Sequence, residues 1–355
     1  MYVNLLDICN PKQWKTLATN QLIENGKYDV YGANGIIGKY NDYNHTDATV
    51  LITCRGATCG NVHLSKPYSY INGNAMALDN LDESKCIKEY LYYYLKSSDL
   101  KNAISGSAQP QITIQGLKKI NLKLYDIKKQ KEIVSMLKSI DKLITTKREE
   151  IKLCGQLIKS QFVEMFENDI LEKSFLNSFA RISSSKRIYA NEYKNTGIPF
   201  YRSKEIRELG TGLKPSVELF IDEQKYNQIK SKFGVPKKGD ILIAAIGATI
   251  GYMWIVDESK FYYKDGNLIN ISPFDKVNSI YLKYVLEKII TDYKIKNASG
   301  SAQLAMTIEK MEKFEIPIPP IELQNKFADI VNQIDKQKFV IENSLENIGE
   351  LVDLW

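Results

Sequence analysis

The chain has 355 residues, too many for one typical core and suited to two domains with connecting elements. Its 44% hydrophobic and 25% charged composition excludes a disordered chain, and Lys plus Arg exceed Asp plus Glu only by 48 to 42. A net charge of +6 permits a polyanionic partner without demanding one, and five unevenly spaced cysteines fit a reducing cytoplasm better than a disulfide framework.

In chain order, the opening MYVNLLDICN lacks the basic region and apolar run of a signal peptide. TVLIT (49–53) and NAMAL (74–78) are short apolar runs bounded by Gly, Asn or Asp, and they predict strands. EYLYYYLKSSDLKNAI (89–104) has a helical period. After Asp126 the spacing predicts a long helix. Its heptad seam runs through Ile133, Leu137, Ile140, Ile144, Lys147, Ile151, Cys154, Ile158, Gln161 and Met165.

The plan then repeats. DILIAAI (240–246) and NLINI (267–271) predict strands, and IYLKYVLEKIITDYKI (280–295) predicts a helix. ILIAAIGATIGYMWIV (241–256) is shorter than the ~20 residues of a spanning helix. Gly247, Thr249 and Gly251 interrupt it, so it reads as a pair of buried strands. Pro319-Pro320 precedes a second long helix, where proline is tolerated in the first turn. Its seam is Phe327, Val331, Ile334, Lys338, Ile341, Leu345, Ile348, Val352 and Trp355.

The repetition extends to particular residues. GSAQPQITI ends at Ile114 and GSAQLAMTI at Ile308, and the same displacement pairs Gln130 with Gln324 and Asp141-Lys142 with Asp335-Lys336. Slightly shorter displacements pair RGATCG (55–60) with IGATIG (246–251), and Asn72-Gly73-Asn74 with Asp265-Gly266-Asn267. A tandem duplication follows. The predicted fold class is α/β: two mixed α/β domains in tandem, each followed by a long α-helix, the helices packing as an antiparallel coiled coil about a pseudo-twofold. The boundaries are 1–125 for the first domain, 126–170 for its helix, 171–320 for the second domain and 321–355 for its helix.

Catalytic chemistry is hard to place on this plan. His45, Cys54, Cys59 and His63 suggest zinc, but Ala245, Ile250 and Trp254 stand where the second copy would need the last three. GATCGN and GATIGY lack the Gly-Lys-Ser/Thr ending of a phosphate loop, and their glycines suit tight turns. DESK occurs at 82–85 and 257–260, out of step with the duplication. A self-contained metal-dependent nuclease would have to use these segments with Asp240 or Asp265, and polar turns account for them more simply. A coiled-coil adaptor that never touches nucleic acid is the other alternative.

A binding surface remains. Candidate DNA-contacting residues in the first domain are Lys12, Gln13, Asn34, Arg55, Asn72, Asn74, Gln109 and Gln111. Those in the second are Arg181, Ser183, Lys186, Arg187, Tyr201, Arg202, Lys204 and Gln303. Arg and Lys grip phosphates or read guanine, while Asn and Gln suit adenine.

GSAQ followed by Thr-Ile, EIPIPPIELQ before the second helix, and YDVYGANGIIGKYNDY with CRGATCGNV together resemble the specificity subunit of type I restriction-modification systems. IPFYRSKEI (198–206) is similar to an early segment of another target recognition domain subtype of that family. The first copy departs from the proline-rich pattern, with LKLYDIKKQK in its place. The resemblance implies a non-catalytic reader of double-stranded DNA. Each target recognition domain would read one half of a split, asymmetric sequence, and the paired helices would set the spacing. It further implies two copies of a DNA methyltransferase (modification) subunit and restriction/translocase subunits as partners. S-adenosylmethionine, ATP and magnesium would then reside on those partners, with no cofactor on this chain.

Overall fold

The computed structural model describes residues 1–33, 35–106, 109–167, 171–297 and 304–353, with side chains described through Gly349. Two units of internal contact emerge, Met1–Thr146 and Lys147–Trp355. Their division falls within the long helix over Ile127–Phe166.

Unit 1 begins with β1 (Tyr2–Asn4), β2 (Asn10–Gln13), β3 (Tyr28–Gly32), β4 (Gly35–Tyr40), β5 (Val50–Thr53), β6 (Val62–Leu64), β7 (Tyr70–Ile71) and β8 (Ala75–Asp79). It continues with α1 (Lys88–Ser97), β9 (Ile104–Ser105), β10 (Gln111–Ile112), α2 (Ile114–Leu117) and β11 (Asn121–Lys123), which lead into α3 (Ile127–Phe166). Residues of α3 from Lys147 onward belong to unit 2.

Unit 2 then adds β12 (Lys173–Phe175), β13 (Ala180–Ser183), β14 (Tyr193–Lys194), β15 (Ile198–Tyr201), α4 (Ser203–Gly210), β16 (Phe220–Ile221) and α5 (Glu223–Phe233). β17 (Ile241–Ala244), β18 (Met253–Ile255), β19 (Tyr262–Tyr263), β20 (Leu268–Pro273), α6 (Ser279–Lys296), α7 (Ile308–Glu312), β21 (Glu315–Pro317) and α8 (Ile321–Asp353) complete it.

The duplication is visible strand by strand. An antiparallel sheet ordered β2-β8-β5-β6 in unit 1 corresponds to β13-β20-β17-β18 in unit 2. The outer pair β1-β11 corresponds to β12-β21. The two-residue alternation of a strand explains the burial of β5 on both faces. Val50 and Ile52 pack with Leu91 and Leu95 of α1, while Leu51 packs on the other side with Tyr31, Ile71 and Ala77. β17 divides its residues likewise, Ile241 and Ile243 toward α6, Leu242 and Ala244 toward Phe200 and Phe261. A strand covered on both faces reads as an unbroken apolar run, as ILIA does.

The smaller sheets differ. Unit 1 carries β4-β3-β7, and unit 2 carries β14-β16-β15-β19 with α4 and α5 inserted among its strands. The helix expected over 89–104 stops at Ser97. Asp99 then accepts a hydrogen bond from Lys101 N at 3.0 Å and starts a separate short turn.

Within unit 2 the C-terminal end of α3 lies against the first turns of α8, as antiparallel partners must. Phe162 and Phe166 each place their rings 5.5 Å from that of Phe327. Ile158, Val331 and Ile334 join the same buried cluster. The seam residues Ile133, Leu137, Ile140, Ile144, Ile151, Ile341, Leu345 and Ile348 are half-buried, Val352 lies beyond the described side chains and Trp355 outside the described residues. Toward the end of α3 the buried positions are Phe162 and Phe166, one residue past the predicted Gln161 and Met165. The helix turns this face to α6 as well, where the Phe166 and Tyr281 rings stand 4.7 Å apart. The two seam lysines reach out to their own helices, Lys147 to Glu150 at 2.9 Å and Lys338 to Glu342 at 3.7 Å. Their stems stay on the seam while their charges stay wet. No helix among the described residues is long and apolar enough to cross a membrane.

Candidate nucleic-acid interface

The most closely repeated feature lies at the end of the main sheet. In unit 1, Gly56 N donates to Pro110 O at 3.2 Å, Ile112 N to Cys54 O at 3.0 Å and Cys54 N to Asn74 O at 3.1 Å. In unit 2, Gly247 N donates to Leu304 O at 3.2 Å, Met306 N to Ala245 O at 2.8 Å and Ala245 N to Asn267 O at 2.9 Å. The GAT turn after β5 or β17 is thereby bound to the segment that follows GSAQ. Isolated bridges complete each junction, Arg55 with Gln111 and Ile246 with Ala305. Gly56 and Gly60 have φ of +88° and +96°, and Gly247 and Gly251 have +72° and +89°. Only glycine takes these values without strain, so the glycines serve the turn.

Unit 1 gathers most of its candidate residues at this junction. Gln13, at the end of β2, donates from Nε2 to Cys54 Sγ at 2.9 Å and to Gly73 O at 3.2 Å. Arg55, Gln109 and Gln111 are exposed beside it, and Asn74 is half-buried. The Lys12 ammonium sits 3.7 Å from the centre of the Trp14 ring. Asn72 does not belong to the surface: it is 2% exposed, and its Nδ2 donates to Leu17 O at 3.0 Å, holding the preceding loop. Asn34 lies outside the described residues.

Unit 2 spreads its candidates more widely. Arg181 is exposed on β13, Ser183 is half-buried on the same strand, and Lys186 is exposed with its Nζ 5.1 Å from the Phe233 ring. Arg187 Nε donates to Asp265 Oδ2 at 2.7 Å. Arg202 Nη2 reaches Glu205 at 2.9 Å and Glu218 at 3.0 Å, and Lys204 reaches Glu218 at 2.6 Å. Hydrogen bonding to Glu205, then to Glu218, raises the Arg202 guanidinium above its ordinary value, and Lys204 foremost holds the Glu218 carboxyl below its own. Tyr201 is buried, its ring stacked at 4.7 Å on Phe261. So Tyr201 and Arg202 build unit 2, while Gln303 lies outside the described residues.

The charges sort accordingly. Among the described residues, no carboxylate lies within ion-pair distance of Lys12, Arg55, Arg181 or Lys186, whereas Arg187, Arg202 and Lys204 are each paired. The unpaired four are the cations whose charge is most available to a phosphate or a base edge. Sequence reasoning overlooked Thr53 and Thr58, whose hydroxyls both donate to Ala33 O, at 2.7 and 2.9 Å, and tie the β3–β4 turn to this end of the sheet. Only the repeated Gly-Ala-Thr triplet hinted that a threonine mattered here.

The candidate zinc and nuclease residues make other contacts. Cys54 Sγ lies with Gln13, and His45 Nε2 lies 2.9 Å from Asp79 Oδ1. In the DESK segments, Asp82 accepts from Ser84 and Asp257 from Ser259 N, local turns in both cases.

The chain matches the family described as type I restriction modification DNA specificity domain over residues 1–153 and again over 168–348. It is 27% identical over 322 residues to a protein of Haemophilus influenzae named as a type I restriction enzyme specificity subunit, spanning 87% of this chain and 80% of that one. The MjaVIII specificity subunit of Methanocaldococcus jannaschii is 25% identical over 342 residues, spanning 85% and 77%. In fold, the S subunit of a type I restriction-modification system from M. genitalium superposes with a TM-score of 0.64 at 17% identity, covering 100% of this chain and 94% of that chain.

Proposed function

Because the chain belongs to the family of type I restriction-modification DNA specificity domains, we propose that its two units read the two parts of a split, asymmetric DNA target. The chain is the DNA-sequence-recognition subunit of such a system. The observation that carries the two-part reading is the repeated junction, where one backbone frame displays different side chains. Arg55 and Gln111 occupy in unit 1 the positions that Ile246 and Ala305 occupy in unit 2. Equal frames suit equal docking on a duplex, and unequal side chains suit unequal bases.

On this reading the chain performs no catalysis. Two modification subunits carry S-adenosylmethionine and methylate adenine, and restriction subunits add ATP- and magnesium-dependent translocation and cutting. Within the chain, α3 and α8 carry the spacing between the half-sites. Expression of the chain with its modification subunit, followed by mapping of methylated adenine, tests this. The expected result is a two-part motif with dissimilar halves that disappears when the chain is omitted. Methylation independent of the chain, or identical halves, would overturn it.

A further inference from the structure

Ile36 and Ile37 are 49% and 40% exposed, side by side on β4. A bulge sets them there. Val30 pairs with Gly38 and Tyr31 with Ile36, so Ile37 is the extra residue and has no partner on β3. Its side chain lies over Gly32, where any Cβ would come within 2.8 Å of it. Bulges bend a strand and re-aim its side chains, and at this one two large apolar groups are left exposed although Val30 and Tyr31, their neighbours on β3, are buried.

The ribbon carrying them is anchored to the candidate interface. Thr53 and Thr58 bind Ala33 O at its tip, and the Arg55–Gln111 bridge begins two residues beyond Thr53. Lys39 is exposed on the same strand and, among the described residues, has no carboxylate within ion-pair distance. Lys27 stands at the ribbon's end away from its tip, its Nζ 5.1 Å from the Tyr28 ring. An apolar pair thus sits on β4, the edge strand of the β4-β3-β7 sheet, with Lys39 and Lys27 together at the end of the strand away from the turn.

We propose that strand β4, the edge of this sheet, enters the DNA major groove and that Ile36 and Ile37 contact the 5-methyl groups of thymines in the half-site read by unit 1. Strands of a β-sheet can read a groove of the duplex, and the thymine methyl is the apolar group that a base pair presents in the major groove. Lys39 and Lys27, at one end of the strand, meet the phosphates of one backbone beside the groove. Unit 2 has a different small sheet, β14-β16-β15-β19, so the effect is confined to one half-site. This inference rests on the reading of unit 1 as a DNA-binding unit.

The test uses the full chain with its modification subunits and a duplex carrying the mapped target. Thymines are replaced by deoxyuridine in one half-site at a time. Binding weakens about fourfold for each contacted methyl removed, the loss expected for one buried methylene-sized group. The loss occurs in one half-site only. An Ile36→Ser, Ile37→Ser chain binds thymine and uracil duplexes alike, and an Ile36→Val, Ile37→Val chain keeps part of the preference. The proposal is overturned if uracil has no effect in either half-site, or if the serine chain keeps the full preference. It is also overturned if the serine chain loses assembly with the modification subunit while its preference stays intact, which would make the ribbon a protein-docking surface. Failure of the unaltered complex to bind any duplex would instead refute the underlying reading of unit 1.

Discussion

Gln130 and Gln324, matching residues in the first turns of α3 and α8, make the same three hydrogen bonds. Gln130 Oε1 accepts from Ile87 N at 3.0 Å, and its Nε2 donates to Lys85 O at 2.7 Å and Tyr125 O at 2.8 Å. Gln324 Oε1 accepts from Asn278 N at 2.9 Å, and its Nε2 donates to Lys276 O at 3.3 Å and Pro319 O at 2.8 Å. Both side chains are fully buried. Each stitches the start of a long helix to the loop before α1 or α6. Replacing either with leucine leaves one N–H and two carbonyls without their partner in a dry site. Each change is expected to cost about 1–3 kcal/mol, read as a lower midpoint in chemical denaturation.

Arg55 and Arg202 are expected to separate binding from folding. Arg55 is exposed, so Arg55→Ala leaves stability within about 0.5 kcal/mol of the original. It lowers DNA affinity and reduces the salt slope of binding by about one if the guanidinium meets a phosphate. Arg202→Ala takes the cation from Glu205, which is 0% exposed and keeps only the backbone N–H of residue 202, and is expected to cost about 3 kcal/mol of stability. Denaturation and salt-titrated binding on the two variants check both statements.

Burial pushes the Cys9 thiol up to about 12, with Cys86 and Asp79 adding to the effect, and burial alone pushes Cys86 up to about 12. The thiolate is the reactive form, so at pH 8 both cysteines react with iodoacetamide far more slowly than a free thiol. Unfolding in denaturant restores ordinary reactivity. Peptide mapping of labelled chain, native against denatured, checks the difference.

The parts of the fold legible in the sequence were those with a period or a second copy. The heptads exposed the long helices, and the GAT and GSAQ pairs located a junction that occurs in both units. Residues whose roles depend on distant partners were not legible. Asn72 reads as a polar loop residue until Leu17 is found beside it, and Arg202 and Lys204 read as a basic cluster until Glu218 arrives from 16 and 14 residues further on. Tyr201 shows no sign in its own neighbourhood of the Phe261 ring that covers it. The shift from Gln161 and Met165 to Phe162 and Phe166 has the same origin, since a strict heptad takes no account of α6.

The most direct test of two separate readers maps methylated adenine with three chains. One is unaltered, one carries Arg55→Ala with Gln111→Ala, and one carries Arg181→Ala with Lys186→Ala. The expected result is a two-part motif that degenerates in one half for the first variant and in the other half for the second. A variant in one unit that degrades both halves, or three identical motifs, would contradict it.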